Sequence, residues 1–309
     1  MTRHDPSVSR RDALKCLAFG SAGTLFTLSG GILTPFDLAS AGTAPATGTP
    51  FFVQISDTHI GFTKEANPDV GATLKLAIER VNALTQAPAL VLHTGDITHL
   101  SRAAEFDTAA ELMKGLNAGE LHTVPGEHDV ADATVSEYFQ RFGAASGNRG
   151  YYSFDHRGVH FIALINVLNF QPGGLGALGP AQLEWLAADL KGRSASTPIV
   201  VFAHMPLWTI YQPWGWGTAD AEEALAGLRR FGSVTILNGH IHQIIQKTEG
   251  NIRFHTARST AYPQPGPGEA PQPGPLVVPA DRLRATLGLT TARATKHVSA
   301  LELADATLN

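Results

Sequence analysis

The sequence predicts a layered α/β fold, and two observations carry that expectation. From residue 51 onward, short runs rich in Val, Ile and Phe alternate with Ala/Leu-rich stretches of helical periodicity. Nearly every motif that could carry chemistry stands at the end of one of the short runs, where open α/β sheets build their ligand sites. The composition agrees, because 43% apolar and 16% charged residues describe a globular chain rather than a collagenous, coiled-coil or wholly disordered one. Acids outnumber bases 27 to 23 and no basic run exceeds Arg229-Arg230, which argues against nucleic acid as a partner.

Taken in order, residues 51–55 predict a strand and 71–84 a helix with Leu74, Ile78 and Val81 along one side. Residues 89–93 read as a strand, 103–116 as a helix and 121–124 as a short strand. Segments 151–155 and 159–166 form a hairpin turning at His156-Arg157-Gly158. Pro180 suits the first turn of a helix that buries Leu183, Leu186 and Leu190 and stops near Gly192. A strand at 199–203 follows, then a helix capped by Thr218 and running through Arg230, with Asp220 and Glu222 favouring its N-terminus. Strands at 234–237, 244–248 and 252–255 complete the series. Two segments break the rhythm: the aromatic, Gly-rich 208–217 and the Pro/Gly-rich loop 262–279, which is too long for an ordinary connection.

Ahead of this, Ser9-Arg10-Arg11-Asp12-Ala13-Leu14-Lys15 resembles a twin-arginine export signal, with Ala13 where Phe is more usual. A moderately apolar stretch, 17–36, is interrupted by Gly20, Gly23, Gly30 and Gly31, and Ala39-Ser40-Ala41 offers a cleavage site. The expectation is a signal peptide over 1–41, delivery to the periplasm by the twin-arginine translocase, no stable membrane anchor, and one domain over 42–309. Cys16 is the one cysteine and lies in the signal, so any metal must be held by His and carboxylates. Oligomeric state leaves no mark in the sequence.

The strand-end motifs are Asp57-Thr58-His59, Gly95-Asp96, Gly126-Glu127-His128-Asp129, His204 and Gly239-His240-Ile241-His242. Asp57 and His59, like His240 and His242, are two apart, so in an extended segment each pair points to one side. Carboxylate and imidazole without thiolate suit Mn, Fe, Zn or Co at two adjacent centres.

This order and spacing, with Gln182-Leu183-Glu184-Trp185-Leu186, resemble the calcineurin-like metallophosphoesterase superfamily over residues 51–260, in its branch of cyclic-nucleotide phosphodiesterases and purple acid phosphatases. The resemblance implies a four-layer α/β/β/α sandwich and two metal ions (Fe, Mn or Zn) about 3.5 Å apart. Asp57, His59 and His242 would hold the first metal, His204 and His240 the second, and Asp96 would bridge them. Glu127 stands where the family has an Asn that binds the second metal and touches phosphate. His128 would protonate the leaving oxygen, oriented by Asp129.

The implied reaction is metal-hydroxide attack on a small-molecule phosphate ester. A phosphodiester is preferred to a phosphomonoester because no basic pocket signature is present to grip a dianion. The alternatives are a phosphomonoesterase of acid or alkaline type, or a non-hydrolytic metal- or partner-binding protein on the same scaffold. The third carboxylate favours an Fe(III)–M(II) pair, or else a Glu127 that is protonated or turned away. Trp214 and Trp216, soon after His204, are expected to cover the metals and present ring faces to an organic leaving group. His99 is expected in a supporting or surface role, Asn166 as structural support, and His93, His122, His160 and His255 as packed or hydrogen-bonded residues.

Overall fold

A computed structural model of the chain describes residues 24–29, 32–37, 50–130, 135–147, 149–294 and 301–309. The chain divides into two units, Met1–Thr47 and Gly48–Asn309. In the first, β1 (Thr24–Ser29) and β2 (Ile32–Asp37) pair antiparallel. The twin-arginine motif and the Ala39-Ser40-Ala41 site lie outside the described residues.

The second unit holds two sheets. One runs in the order β13 (Leu301–Thr307), β12 (Gly288–Ala294), β3 (Pro50–Ile55), β4 (Leu90–His93), β5 (Glu120–Thr123). The other runs β10 (Gln246–Glu249), β11 (Ile252–Thr256), β9 (Val234–Asn238), β8 (Ile199–Phe202), β7 (Val159–Ala163), β6 (Tyr152–His156). The central strands are parallel, joined by α1 (Val70–Asn82), α2 (Ala103–Met113), α4 (Pro180–Leu190) and α5 (Ala221–Leu228); α3 (Ser136–Phe142) and α6 (Ala280–Thr286) are shorter.

Side-chain alternation along the strands builds the layers. Phe52, Leu90 and Leu92 meet Phe161, Ala163, Val200, Phe202 and Leu237 between the sheets. Their neighbours Val53, Ile55 and Val91 point outward to Val81 of α1. On the other sheet Ile162, Val201 and Ile236 point outward to Leu186, Leu190, Leu225 and Leu228 of α4 and α5. Helix, sheet, sheet, helix is the four-layer sandwich that the sequence led one to expect.

Local chemistry sets most element ends. Asp69 caps α1 by accepting from the Ala72 N–H, and Pro180 opens α4. Arg157 (φ 49°) and Gly158 (φ 80°) make the β6–β7 connection a two-residue turn, one residue tighter than predicted. Thr218 is not the cap of α5, since its hydroxyl donates to the Pro206 carbonyl; Asp220 precedes the helix, which ends at Leu228 rather than Arg230. Nor does the Asp220 carboxylate serve its own helix. It accepts from Leu178 N and Gly179 N, just ahead of α4, and so joins the two helices of the outer layer.

Candidate metal centre

Each strand-end motif continues its strand into a loop at one end of the sandwich. Asp57 and His59 follow β3, Asp96 follows β4, the 126–129 segment follows β5, His204 follows β8, and His240 and His242 follow β9. The loops are not extended. Asp57 (φ 52°), His59 (φ 41°), Asp96 (φ 51°), His240 (φ 68°) and His242 (φ 56°) are all left-handed non-glycine residues, a conformation costing of order 1 kcal/mol each. The paired ligands do face one centre, but through tight turns and not through strand alternation. Asp57 N–H donating to Gly95 O (3.0 Å) and His59 N–H to Asp96 O (2.9 Å) lock the first two loops together. A side chain at Gly126 would overlap the Asp96 carboxylate, and one at Gly239 would overlap Ser56 and Asp57.

The side chains form two clusters. In the first, His242 Nε2 lies 3.3 Å from Asp57 Oδ1 and 3.2 Å from His59 Nε2. In the second, Glu127 Oε2 lies 2.7 Å from His204 Nε2, and Oε1 lies 2.8 Å from His240 Nδ1. Between them stands one oxygen. Asp96 Oδ2 is 3.5 Å from His59 Nε2 and 3.4 Å from His204 Nε2, while Oδ1 accepts from His128 N–H at 2.9 Å.

This set fits two cations. Within each of Asp57/His59/His242, Glu127/His204/His240 and Asp57/Asp96/His204, the ligand atoms lie within 4.8 Å of one another. His240 Nε2 is buried without a hydrogen-bond partner among the described residues, an expensive arrangement unless a ligand satisfies it. His204 Nδ1 faces Thr94 O (2.7 Å) and His242 Nδ1 faces Tyr262 O (2.6 Å). Donation to those carbonyls directs each Nε2 inward, where its lone pair serves a cation once the ring is neutral. Carboxylate oxygen with imidazole suits borderline and hard transition metals.

Burial acts against charge throughout. It pushes His59 well below the usual imidazole range, assisted by His242 and His128. It would raise Glu127, but the charges of His240 and His204 outweigh it and hold the carboxyl well below the usual carboxylate range. The Glu127 side chain faces the second cluster, so the turned-away arrangement is not the one seen.

The expectation for Asp129 is corrected. Its carboxylate accepts from Ile97 N (2.9 Å), Thr98 N (2.7 Å), Thr98 Oγ1 (2.8 Å) and Gly126 N (3.0 Å), clamping the loops after β4 and β5. Burial and then the charge of Asp96 push its carboxyl up to about 6. His128 is oriented by His99 instead. His128 Nδ1 lies 2.7 Å from the His99 carbonyl, and the two rings stack at 4.8 Å and 17°. His99 Nδ1 also lies 3.5 Å from His59 Nδ1, and His59, His99 and His128 form a further group whose ligand atoms lie within 4.8 Å of one another.

The centre opens into a cleft of about 240 Å³. Trp214 and Trp216 both line it, their rings edge to face at 4.9 Å, with Trp216 buried and Trp214 half-exposed. Pro273 and Pro275 of the long loop form part of its wall. Gln264 ties that loop to the ligands by donating to the His240 carbonyl at 2.8 Å. Other lining residues were given no individual role by the sequence. Tyr262 is buried with its hydroxyl 3.2 Å from His59 Nε2 and its ring stacked on His59 at 4.8 Å, and Lys64 comes from the loop before α1. Of the other residues, Asn166 bonds Met205 O and Thr218 Oγ1, His160 lies between Asp155 and Asp189, His255 pairs with Asp305 and His122 is packed, while His93 is buried behind the first cluster with Nδ1 accepting from Gly95 N and Nε2 3.3 Å from Thr58 Oγ1.

The sequence model of the calcineurin-like phosphoesterases matches residues 52–244. The chain belongs to that family. A probable glycerophosphodiester phosphodiesterase from Arcobacter nitrofigilis is 25% identical over 221 residues, covering 68% of this chain and 78% of the relative. A probable cyclic nucleotide phosphodiesterase from Rhodopseudomonas palustris is 26% identical over 259 residues, covering 75% and 89%. Among solved structures, a dimetal phosphatase from Danio rerio shares the fold with a TM-score of 0.62 at 16% identity, over 84% of this chain and 99% of the other. As a calcineurin-like phosphoesterase, the protein is a metal-dependent phosphoric ester hydrolase, and its two clusters are the metal-binding candidates.

Proposed function

We propose that the protein hydrolyses small-molecule phosphodiesters at a two-cation centre, with His128 as the general acid. The observation that carries this reading is the position of Asp96 Oδ2, within 3.5 Å of a histidine from each cluster and beside His128. Asp57, His59 and His242 would hold one cation, Glu127, His204 and His240 the other, and Asp96 both. Cations there would supply Lewis acidity that activates water and offsets charge growing on the phosphoryl oxygens. His128 keeps Nδ1 on the His99 carbonyl, so Nε2 is the atom left to hand a proton to the leaving oxygen. Asp129 acts indirectly by holding Gly126 and Ile97 in place.

The diester preference is supported by the two diesterase relatives and by a cleft lining in which Lys64 is the one Lys or Arg among the described residues. Metal-loaded protein should turn over diesters faster than the matching monoesters. His128→Ala should cost about 10²–10⁴ in kcat with alkyl leaving groups and far less with 4-nitrophenyl, because only the poor leaving group needs a proton in the transition state. A monoester preference would replace the diester reading, and equal damage to both leaving groups would remove His128 from the acid role.

We further propose that the chain reaches the periplasm through the twin-arginine translocase, on the strength of Ser9-Arg10-Arg11 and the small residues at 39–41. Changing Arg10 and Arg11 to Lys should retain the precursor in the cytoplasm on fractionation. Undiminished export of that variant contradicts the assignment.

A further inference from the structure

Lys64 stands on the loop between β3 and α1, and the residues around it are pinned to the site. Phe62 is buried, its ring 4.4 Å from that of Tyr262 and edge-on to His99 at 5.1 Å. Asn67 donates from its side chain to the Ala261 carbonyl (2.6 Å) and from its backbone to the Lys64 carbonyl (3.0 Å). The main chain of Lys64 is thereby fixed while its side chain is exposed in the cleft. No ion pair engages its ammonium among the described residues.

This places one ammonium on a particular side of the reaction. In the proposed reaction His128 turns Nε2 to the leaving oxygen; His99 stacks on His128, and Phe62, two residues before Lys64, packs edge-on against His99. An ester arm that leaves beside His128 shares its cleft with the Lys64 ammonium. The lining also includes Trp214, Trp216, Pro273 and Pro275, which carry no charge, and among its described residues Lys64 is the one Lys or Arg.

We propose that Lys64 recognises a second anionic group, carboxylate or phosphoryl, on the alcohol that leaves the phosphodiester. The proposal rests on the diesterase reading and adds the class of alcohol. The test uses the metal-loaded protein with three methyl aryl phosphates whose leaving groups are 4-nitrophenol, 3-carboxy-4-nitrophenol and 3-phosphono-4-nitrophenol. KM should be about tenfold lower for the anionic arms than for the neutral one, the size of a charge-assisted contact at a half-open site, and the gap should narrow as salt rises. Lys64→Gln should collapse the gap and Lys64→Arg should restore most of it. A preference for the phosphonate names a phosphoryl-bearing alcohol, and the reverse names a carboxylate-bearing one. Equal KM values across the three esters, or a gap that persists in Lys64→Gln, would overturn the proposal. Failure to turn over any of the esters strikes the diesterase reading instead. In that event affinities for the same esters, followed by tryptophan fluorescence, still decide the role of Lys64.

Discussion

Asp96→Asn should lose at least one equivalent of metal and lower turnover by about 10³-fold or more, because a single oxygen serves both clusters and a neutral amide neither offsets charge nor bridges well. The geometry makes this a clean substitution. Asp96 is left-handed at φ 51°, a conformation Asn tolerates as readily as Asp, so the backbone of the loop is preserved. The amide oxygen can still accept from His128 N–H, as Oδ1 does at 2.9 Å. What changes is the charge on Oδ2, between His59 and His204. Metal content after gel filtration, measured beside turnover, checks the expectation. A variant that keeps two equivalents and most of its rate would show that Asp96 bridges nothing.

Glu127→Asn should act in the opposite direction. Two divalent cations carry four positive charges, and Asp57, Asp96 and Glu127 together return three, leaving little net attraction for an anionic ester. The Glu127 carboxylate points at His204 and His240 from 2.7 and 2.8 Å, so it belongs to that balance. Removing its charge should raise kcat/KM for ordinary diesters about tenfold with two divalent ions present. By the same argument the native protein should carry a trivalent ion, Fe(III), beside a divalent one. Metal quantification with EPR or Mössbauer spectroscopy on native and variant protein checks both parts. An all-divalent native centre and a variant no faster than wild type would end the charge argument.

The candidate ligands were legible because the fold delivers them at strand ends, where a short motif survives as a contiguous string. The reason first assigned to the paired ligands was nevertheless wrong, since turns and not strand alternation aim Asp57, His59, His240 and His242. Asp129 misled through adjacency. Residues 127–129 form a 3₁₀ turn, in which successive side chains diverge by roughly 120°, so His128 and its sequence neighbour face different partners. Tyr262, Lys64 and the carbonyl of His99 were hidden because they reach the site through loops whose paths no local pattern encodes. The strands β12 and β13 were missed for another reason: Thr290, Thr291 and Arg293 in one, and Glu302 and Asp305 in the other, dilute the apolar signal of strands at the side of a sheet.

The first cluster draws on both halves of the sandwich. Asp57 and His59 come from the loop after β3 and His242 from the loop after β9, strands of different sheets, with 183 residues between His59 and His242. A cation held there works as a reversible crosslink that closes a very long loop, so the entropy it removes from the unfolded chain resembles that of a disulfide of similar span. Neither sheet alone contains a complete set of ligands for this cation. A fragment ending between β5 and β6 keeps Asp57, His59 and Asp96 but lacks His242, so it should hold a first metal more weakly than the whole domain.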